Sequence, residues 1–503
     1  MKYTMTKTHR YTIILFLIVL CCRAIVIGYH DPNLGGIEPN VVYGVQRVLL
    51  GQQLYQDPVS GTYAVMQYTP LFYYFAAAIG KIAGISGEDA HGVYALCRAL
   101  ALLFNLLTVL VFARIIGLWG FNKRDALIAA LPVLIIPTAH FYTRGDSMYL
   151  LFFVATVYYY LRYNKNRGIL NILIAALFSA ACIMVKQTGI MIIGITGFCL
   201  LFIDRKFLAA VLYAAGTFIF SIAICHLCIP HHELMALYQN AYLGLKNGVD
   251  LTFIAQMFGS PYFLDMVPCY VLGGIIVWLA MKSADKGFRA MAAGALLSFL
   301  FASITGLKIG SSNNYFIEFL LFVLICIPYL LQLPASEKIF FTFRKRPVSI
   351  RLFTMIAFII LISSKTMGLF SAVFVERSFK NDTQEYNREI GLRQYFNDSL
   401  HIAKGDYIFF TERRFTDNIF IEHAMMPTKD VTIQVYKADH NTFNYSPFIA
   451  GMNNGLIKYI VTTEKNDDIN LDNQYIPFIK FDSSRFRLLG HRFGFCIYAY
   501  TPG

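Results

Sequence analysis

The chain has 503 residues, of which 57% are hydrophobic and only 15% are charged, and its formal net charge is +13. A soluble globular domain carries about 25% charged residues, so the composition excludes an ordinary soluble protein and indicates a polytopic membrane protein. The basic excess lies in residues 1–370, whereas residues 371–503 are close to neutral. Basic residues confined to the apolar part of a chain are typical of loops that set membrane topology, so we expect no nucleic-acid partner.

Apolar stretches long enough to cross a bilayer as helices recur along the first 370 residues. The first follows Lys2, Lys7 and Arg10, exceeds the length of a signal-peptide core and lacks a small-residue cleavage site, which predicts a retained anchor. The eleven predicted spans are 11–28, 92–115, 126–142, 147–163, 168–185, 187–203, 207–229, 262–281, 289–307, 315–333 and 350–370.

The predicted first outer loop, residues 29–91, combines an amphipathic helix that follows Glu38 with an apolar stretch, Thr69 to Ile85. From Pro70 this stretch would form roughly 24 Å of helix, against a hydrocarbon core of about 30 Å. If it crossed, the positive-inside rule would fail at five consecutive loops downstream. We therefore expect a re-entrant or interfacial helix, an N-terminus inside the cytoplasmic (inner) membrane and a C-terminal tail outside.

Residues 371–503 have the pattern of a small extracytoplasmic α/β domain, separate from a transmembrane domain at 1–370. Alternating apolar residues predict strands at 406–412, 431–436, 459–464 and 495–500, and an amphipathic pattern predicts a helix at 382–400. The ten cysteines show no spacing typical of a metal site or a disulfide framework. The fold class expected is an all-α polytopic membrane protein with a small C-terminal α/β soluble domain.

Ionisable residues collect at the predicted outer ends of the helices. Such groups at membrane depth usually face a cavity or a partner, so each is a functional candidate. The set comprises Asp31, Glu38, Arg144, Asp146, Lys186, Lys308 and Glu318.

Simpler interpretations of these residues remain open. Arg144 and Asp146 could form a local ion pair at the start of the helix that begins at Ser147. Lys186 and Lys308 could extend to the membrane interface. Asp31 suits a turn, and Glu38 before Pro39 suits the first turn of a helix.

The segment "CIPHHE" contains two histidines and a glutamate that could suggest metal ligands. Adjacent histidines point in different directions on a helix, so a solvated loop is the better interpretation of His231, His232 and Glu233.

The stretch from Asp31 to Tyr74, with its "VVYG" helix and "QYTPLFYY", resembles the first outer loop of GT-C glycosyltransferases. "RGDSMYLLF", "KQTG" and "GSSNNYFIE" resemble further elements of these enzymes in the same order, so the resemblance covers about residues 10–330. The group includes protein O-mannosyltransferases and lipid A aminoarabinose transferases. Two features depart from the pattern: Glu38 has no acidic neighbour, and Thr69-Pro70 replaces a pair of prolines.

The resemblance implies transfer of a sugar from a polyprenyl-phosphate donor to a hydroxyl of a glycan, lipid or protein acceptor at the outer membrane surface. It implies a carboxylate base, for which Glu38 and Asp31 are the candidates, and position relative to the "VVYG" helix favours Glu38. A base should face a cavity and should not be held in a buried ion pair. The resemblance further implies a phosphate site of Arg144, Lys186 and Lys308, and the residues expected to line the site are Asp146, Tyr68, Tyr315 and Glu318. Divalent-metal dependence stays open, with no ligand set evident.

Two other functions compete with this interpretation. A transporter or lipid-linked sugar flippase could use Glu318 and Lys308 as a proton relay, but neither the internal repeats nor the midplane broken helices typical of transporters are evident. A glycan polymerase would share an outer-face site.

Overall fold

The computed structural model describes residues 7–30, 38–135, 143–260, 264, 266–309, 313–343, 346–375, 379–411, 416–463 and 482–502. Helices up to residue 258 are α1 (Lys7–Ile27), α2 (Glu38–Leu49), α3 (Leu71–Ile82), α4 (Ala90–Leu118), α5 (Lys123–Ala130), α6 (Asp146–Asn166), α7 (Ile169–Val185), α8 (Ile190–Phe198), α9 (Phe207–Cys228), α10 (Leu234–Ala241) and α11 (Leu251–Phe258). The later helices are α12 (Val267–Met281), α13 (Lys286–Thr305), α14 (Ile317–Gln332), α15 (Ile350–Phe370), α16 (Phe379–Asp398), α17 (Thr416–Ile419), α18 (Lys429–Ala438) and α19 (Ser446–Asn453).

The protein is a multi-pass membrane protein. In the described part of the chain, five helices are long and apolar enough to cross a bilayer: α1, α4, α9, α13 and α15. Shorter apolar segments are α3, α7, Gln187–Ile203, α12 and α14. Ten of the eleven predicted spans coincide with a helix of the structure. Nine of these are among the segments just named, and the tenth is α6.

The predicted span 126–142 is helical as far as Leu134 in the part that the structure describes, and its crossing of the membrane stays a prediction. Helix α5 ends at Ala130, and a 3₁₀ turn, Leu131–Leu134, follows it. Pro132 lies inside this turn, and a proline removes a backbone donor and disfavours a continuing α-helix. Residues 136–142 lie outside the described part.

The stretch expected to be re-entrant or interfacial forms helix α3, which begins directly after Pro70 and has 12 residues. At 1.5 Å per residue it is about 18 Å long, too short to cross a hydrocarbon core of about 30 Å.

The chain divides into two compact units. The first comprises Met1–Val26, Ala101–Cys225 and Asp250–Val375. Its helices pack closely at two glycines. A Cβ on Gly294 of α13 would lie 2.5 Å from the Phe322 ring of α14, and a Cβ on Gly273 of α12 would lie 2.7 Å from the Phe319 ring of α14. Small residues of this kind let helix backbones approach in a membrane protein.

The first unit also contains a β-hairpin of β1 (Ile339–Phe343) and β2 (Arg346–Ser349), directly before α15. Ser349 then caps α15, because its side chain accepts a hydrogen bond from the Leu352 amide.

The second unit comprises Ile27–Leu100, His226–Val249 and Glu376–Gly503. Its sheet contains β3 (Tyr407–Phe410), β4 (Ile457–Thr463), β5 (Phe486–Arg492) and β6 (Phe495–Tyr500) in the order β3-β4-β6-β5, with only the β3–β4 pair parallel. The predictions of strands at 406–412, 459–464 and 495–500 and of a helix at 382–400 agree with these elements. Strand β5 was not predicted.

The predicted strand at 431–436 is wrong, because this segment belongs to helix α18. Its β-branched residues favour a strand only weakly, and burial decides the outcome. Val431, Thr432 and Val435 are buried, and their spacing of one and four residues places them on one face of a helix.

The tail shares its core with the first outer loop inside the second unit. Tyr63 and Val65 belong to the same buried cluster as Phe409 and Phe448. Within the tail, Glu376–Gly503 belongs to the same compact unit as Ile27–Leu100 and His226–Val249. The assignment of residues 371–503 as a separate domain stays a prediction.

A reciprocal amide pair joins α2 to the tail. Gln46 Nε2 donates to the Asn418 carbonyl oxygen at 3.0 Å, and Asn418 Nδ2 donates to Gln46 Oε1 at 2.9 Å. Asn418 Nδ2 also donates to the Pro39 carbonyl at 3.1 Å, directly after Glu38. Because Gln46 and Asn418 are fully buried, their polar groups need these partners, and the pair fixes α2 to the tail.

Candidate active site

Glu38 begins α2 and is completely buried. Its Oε2 lies 3.5 Å from Arg98 Nη2, and both side chains are at most 1% exposed. The expectation that this carboxylate is not held in a buried ion pair is therefore wrong. A buried carboxylate needs a counter-charge, and Arg98 inside the predicted span 92–115 supplies it.

The surroundings of Arg98 hold the guanidinium in place. It donates a hydrogen bond to the Tyr29 carbonyl, and its Cζ lies 5.2 Å from the centre of the Tyr94 ring. This pairing was not predicted, and the available signal for it was an arginine inside a predicted span. The role of Glu38 as a base stays a prediction. Asp31, the other candidate, lies outside the described residues.

Three of the predicted site residues meet in the first unit, where α6 begins and α7 ends. Arg144 Nε lies 2.9 Å from Asp146 Oδ2, and Lys186 Nζ lies 2.7 Å from Asp146 Oδ1. All three side chains are at most 14% exposed. One carboxylate thus holds two cations from separate parts of the chain.

The local fold explains how Lys186 reaches Asp146. Arg167, in a left-handed conformation with φ 57°, ends α6, and α7 packs back along it. At the end of α7 the chain turns at Gly189, where a Cβ would lie 2.5 Å from the backbone of Cys182 and Ile183. Only glycine allows the chain to pass this close to the backbone of α7, which accounts for the glycine three residues after Lys186 in "KQTG".

Glu318 and Tyr149 complete the polar surroundings of this cluster. Glu318, in the first turn of α14, is buried and lies close enough to Lys186 and Asp146 to interact electrostatically with both. The Tyr149 hydroxyl lies beside Glu318 and Thr188, and Lys186 Nζ is 6.0 Å from the Tyr149 ring. Tyr149 was not predicted. Its position three residues after Asp146, on the same helix face, was the available signal.

The remaining candidates lie elsewhere in the sequence. Lys308 is half-buried after α13, and burial lowers its pKa to about 8. Tyr315 is half-buried in the 3₁₀ turn Asn313–Phe316. Tyr68 belongs to the second unit, where its carbonyl accepts a hydrogen bond from the Tyr55 hydroxyl at 2.7 Å. The roles of these three residues stay predictions.

Among the described residues, no group of three or more His, Cys, Asp or Glu side chains is arranged to hold a metal ion. Divalent-metal dependence stays open, and no step below involves a metal ion.

The interpretation of residues 231–233 as a solvated loop is wrong for Glu233. These residues form a 3₁₀ turn after Pro230, with both histidines exposed and Glu233 buried.

Comparison with solved structures shows the fold. ArnT from Cupriavidus metallidurans, in a crystal structure bound to undecaprenyl phosphate, superposes with a TM-score of 0.59 at 11% identity, over 97% of both chains. An oligosaccharyltransferase of Archaeoglobus fulgidus in the apo form superposes with a TM-score of 0.54 at 13% identity, over 91% of this chain and 70% of that one.

The chain has the GT-C fold. The GT-C prediction is thereby confirmed for the fold. The archaeal oligosaccharyltransferase AglB in complex with an inhibitory peptide and a dolichol-phosphate also superposes, with a TM-score of 0.53 at 13% identity, over 91% of this chain and 70% of that one. No family model matches the sequence, and no curated protein matches it significantly.

Proposed function

We propose that this GT-C chain is a membrane glycosyltransferase that moves a sugar from a polyprenyl-phosphate donor to an acceptor hydroxyl. Two similar folds, those of ArnT and AglB, are found with undecaprenyl phosphate and dolichol-phosphate, which supports a lipid phosphate as the donor's leaving group. The positive-inside pattern supports a reaction on the outer face of the cytoplasmic membrane.

The observation that carries this proposal is the Arg144–Asp146–Lys186 cluster. In the transfer, the acceptor oxygen bonds to the anomeric carbon, and the bond from that carbon to the phosphate oxygen breaks. The phosphate keeps the electron pair of that bond, so negative charge develops on it. Preorganised cations stabilise such charge, and Asp146 positions two of them, Arg144 and Lys186.

Each cation suits a different contact with the phosphate. An arginine guanidinium can bind two phosphate oxygens at once, whereas a lysine acts as a point charge. Lys186, the most exposed of the three at 14%, is the one we expect to move toward a bound phosphate. The proton of the acceptor hydroxyl passes to a carboxylate, for which Glu38 and Asp31 are the proposed candidates.

Binding of undecaprenyl phosphate to the purified full-length protein tests the proposal. Losing one hydrogen bond to a charged group costs about 1.5–3 kcal/mol, so Lys186→Ala and Arg144→Ala should each weaken binding roughly 10- to 100-fold. The control is Lys206→Ala, which removes an exposed lysine. If both cluster variants fold and keep the native Kd, the cluster does not bind the donor phosphate.

A further inference from the structure

The second unit contains a pocket of about 250 Å³ between the first outer loop and residues 231–236. Its wall includes Tyr55, and Gln53, Gln56 and Ser60 line it with amide and hydroxyl groups. Asn240 holds the two segments together, because its Nδ2 donates to the Gln56 carbonyl at 2.7 Å and its Oδ1 accepts from the Met66 amide at 2.7 Å. The pocket therefore lies between segments that hydrogen bonds hold together.

Glu233 lies in this pocket although it is only 5% exposed. Within the described part of the chain, its Oε2 is buried and has no hydrogen-bond partner. A buried acceptor without a donor costs about 1–3 kcal/mol, more for a charged group. This carboxylate oxygen therefore has the capacity to accept a hydrogen bond from a ligand.

Basic side chains, those of His232 and Arg47, lie near Glu233. His232 Nε2 lies 3.9 Å from its Oε1. Burial raises the pKa of Glu233, while His232, the Tyr55 backbone amide and Arg47 favour its ionised form. A cationic ligand is thus not needed for charge balance, and Asp57 on the same wall would repel an anionic one. A neutral ligand with several hydroxyl groups fits this arrangement.

We propose that this pocket binds one sugar ring, with a sugar hydroxyl donating a hydrogen bond to Glu233 Oε2. The volume is below the roughly 300–1,000 Å³ of pockets for drug-sized ligands, which suits a single ring. Gln53, Gln56 and Ser60 carry donors and acceptors for further hydroxyls. The biological role of the pocket rests on the proposed glycosyl transfer, and the sugar belongs either to an acceptor glycan or to the donor.

Binding of free sugars tests this inference without any transfer reaction. Mannose, glucose, galactose and N-acetylglucosamine are each titrated into the purified full-length protein and followed by saturation-transfer difference NMR. We expect at least one of them to bind, and Glu233→Gln to weaken that binding about 10-fold, because a neutral amide oxygen is a weaker acceptor than a carboxylate. The matched control is Glu422→Gln, an exposed glutamate of the tail. If Glu233→Gln fails to fold, Ser60→Ala on the exposed rim provides the comparison.

A second titration identifies the source of the sugar. Saturating undecaprenyl-phosphate sugar displaces the free sugar if the pocket holds the donor's ring, and leaves it bound if the pocket holds an acceptor's ring. Absence of binding by all four sugars, or binding that Glu233→Gln and Ser60→Ala leave unchanged, would overturn the inference. Because the donor-phosphate test uses Lys186 and Arg144 in the first unit, either result can fail without the other.

Discussion

Replacing Glu38 by Gln separates a structural role of this residue from a catalytic one. The substitution keeps the shape of the side chain but leaves Arg98 without the carboxylate 3.5 Å away. Removing one partner of a buried ion pair costs about 3–5 kcal/mol. We expect the lower end, about 3 kcal/mol, because the pair is longer than a strong charge-assisted bond of about 2.7–2.9 Å. Arg98 also keeps the Tyr29 carbonyl and the Tyr94 ring.

The double variant Glu38→Gln/Arg98→Met decides between the two roles. It leaves no buried charge at this position, so it should recover much of the stability that Glu38→Gln loses. If Glu38 is the base, both variants should lose transfer by roughly 10²–10⁴-fold. Unfolding in detergent measures stability, and release of free lipid phosphate measures transfer. Recovery of transfer together with stability would show that Glu38 acts only as the partner of Arg98, and a single variant as stable as the native protein would refute the buried-pair reasoning.

Three further predictions address pH and topology. Burial lowers the pKa of Lys308 to about 8, so this lysine loses its charge as the pH rises through that value. If Lys308 contacts the donor phosphate, undecaprenyl phosphate should bind more weakly at pH 9 than at pH 7. The variant Lys308→Arg should remove this difference. Burial raises the pKa of Asp417 to about 7 against the opposing effect of Lys429, 2.7 Å away. The folded state therefore keeps a proton that the unfolded chain releases between about pH 4 and 7, so stability should fall as the pH rises across this window, and Asp417→Asn should flatten the profile of unfolding midpoints. A reporter active only in the periplasm should be active when fused after Gly503, whereas labelling of Lys123 from outside would contradict this orientation.

Hydrophobic periodicity predicted most of the membrane helices because long apolar runs have few alternatives in a bilayer. It did not predict that the α-helix within 126–142 ends at Ala130 and gives way to a 3₁₀ turn that contains Pro132. It also failed at 431–436, where burial of Val431 and Val435 on one helix face outweighs a β-branched composition. In each case the deciding interaction is local geometry or tertiary packing, which a count of apolar residues does not contain.

The candidate site was predictable only in part. Arg144, Asp146 and Lys186 are charged residues near predicted helix ends, and this position alone predicted that they belong to a functional site. That Arg98 would pair with Glu38 could not be read from local sequence, because 60 residues separate them. The burial of Glu233 was missed for the same reason, since it depends on the first outer loop packing against residues 231–236.

The amide pair between Gln46 and Asn418 has a consequence for biosynthesis. The helix that starts at Glu38 leaves the ribosome long before the segment that holds Asn418. At about 5–20 residues per second, a delay of roughly 20 to 80 s separates them. During that interval Gln46 has neither donor nor acceptor from the tail. Nascent chains that end before Asn418 would therefore lack the hydrogen bonds that fix the first outer loop to the tail. In such chains this loop would be exposed to chaperones and proteases at the membrane surface.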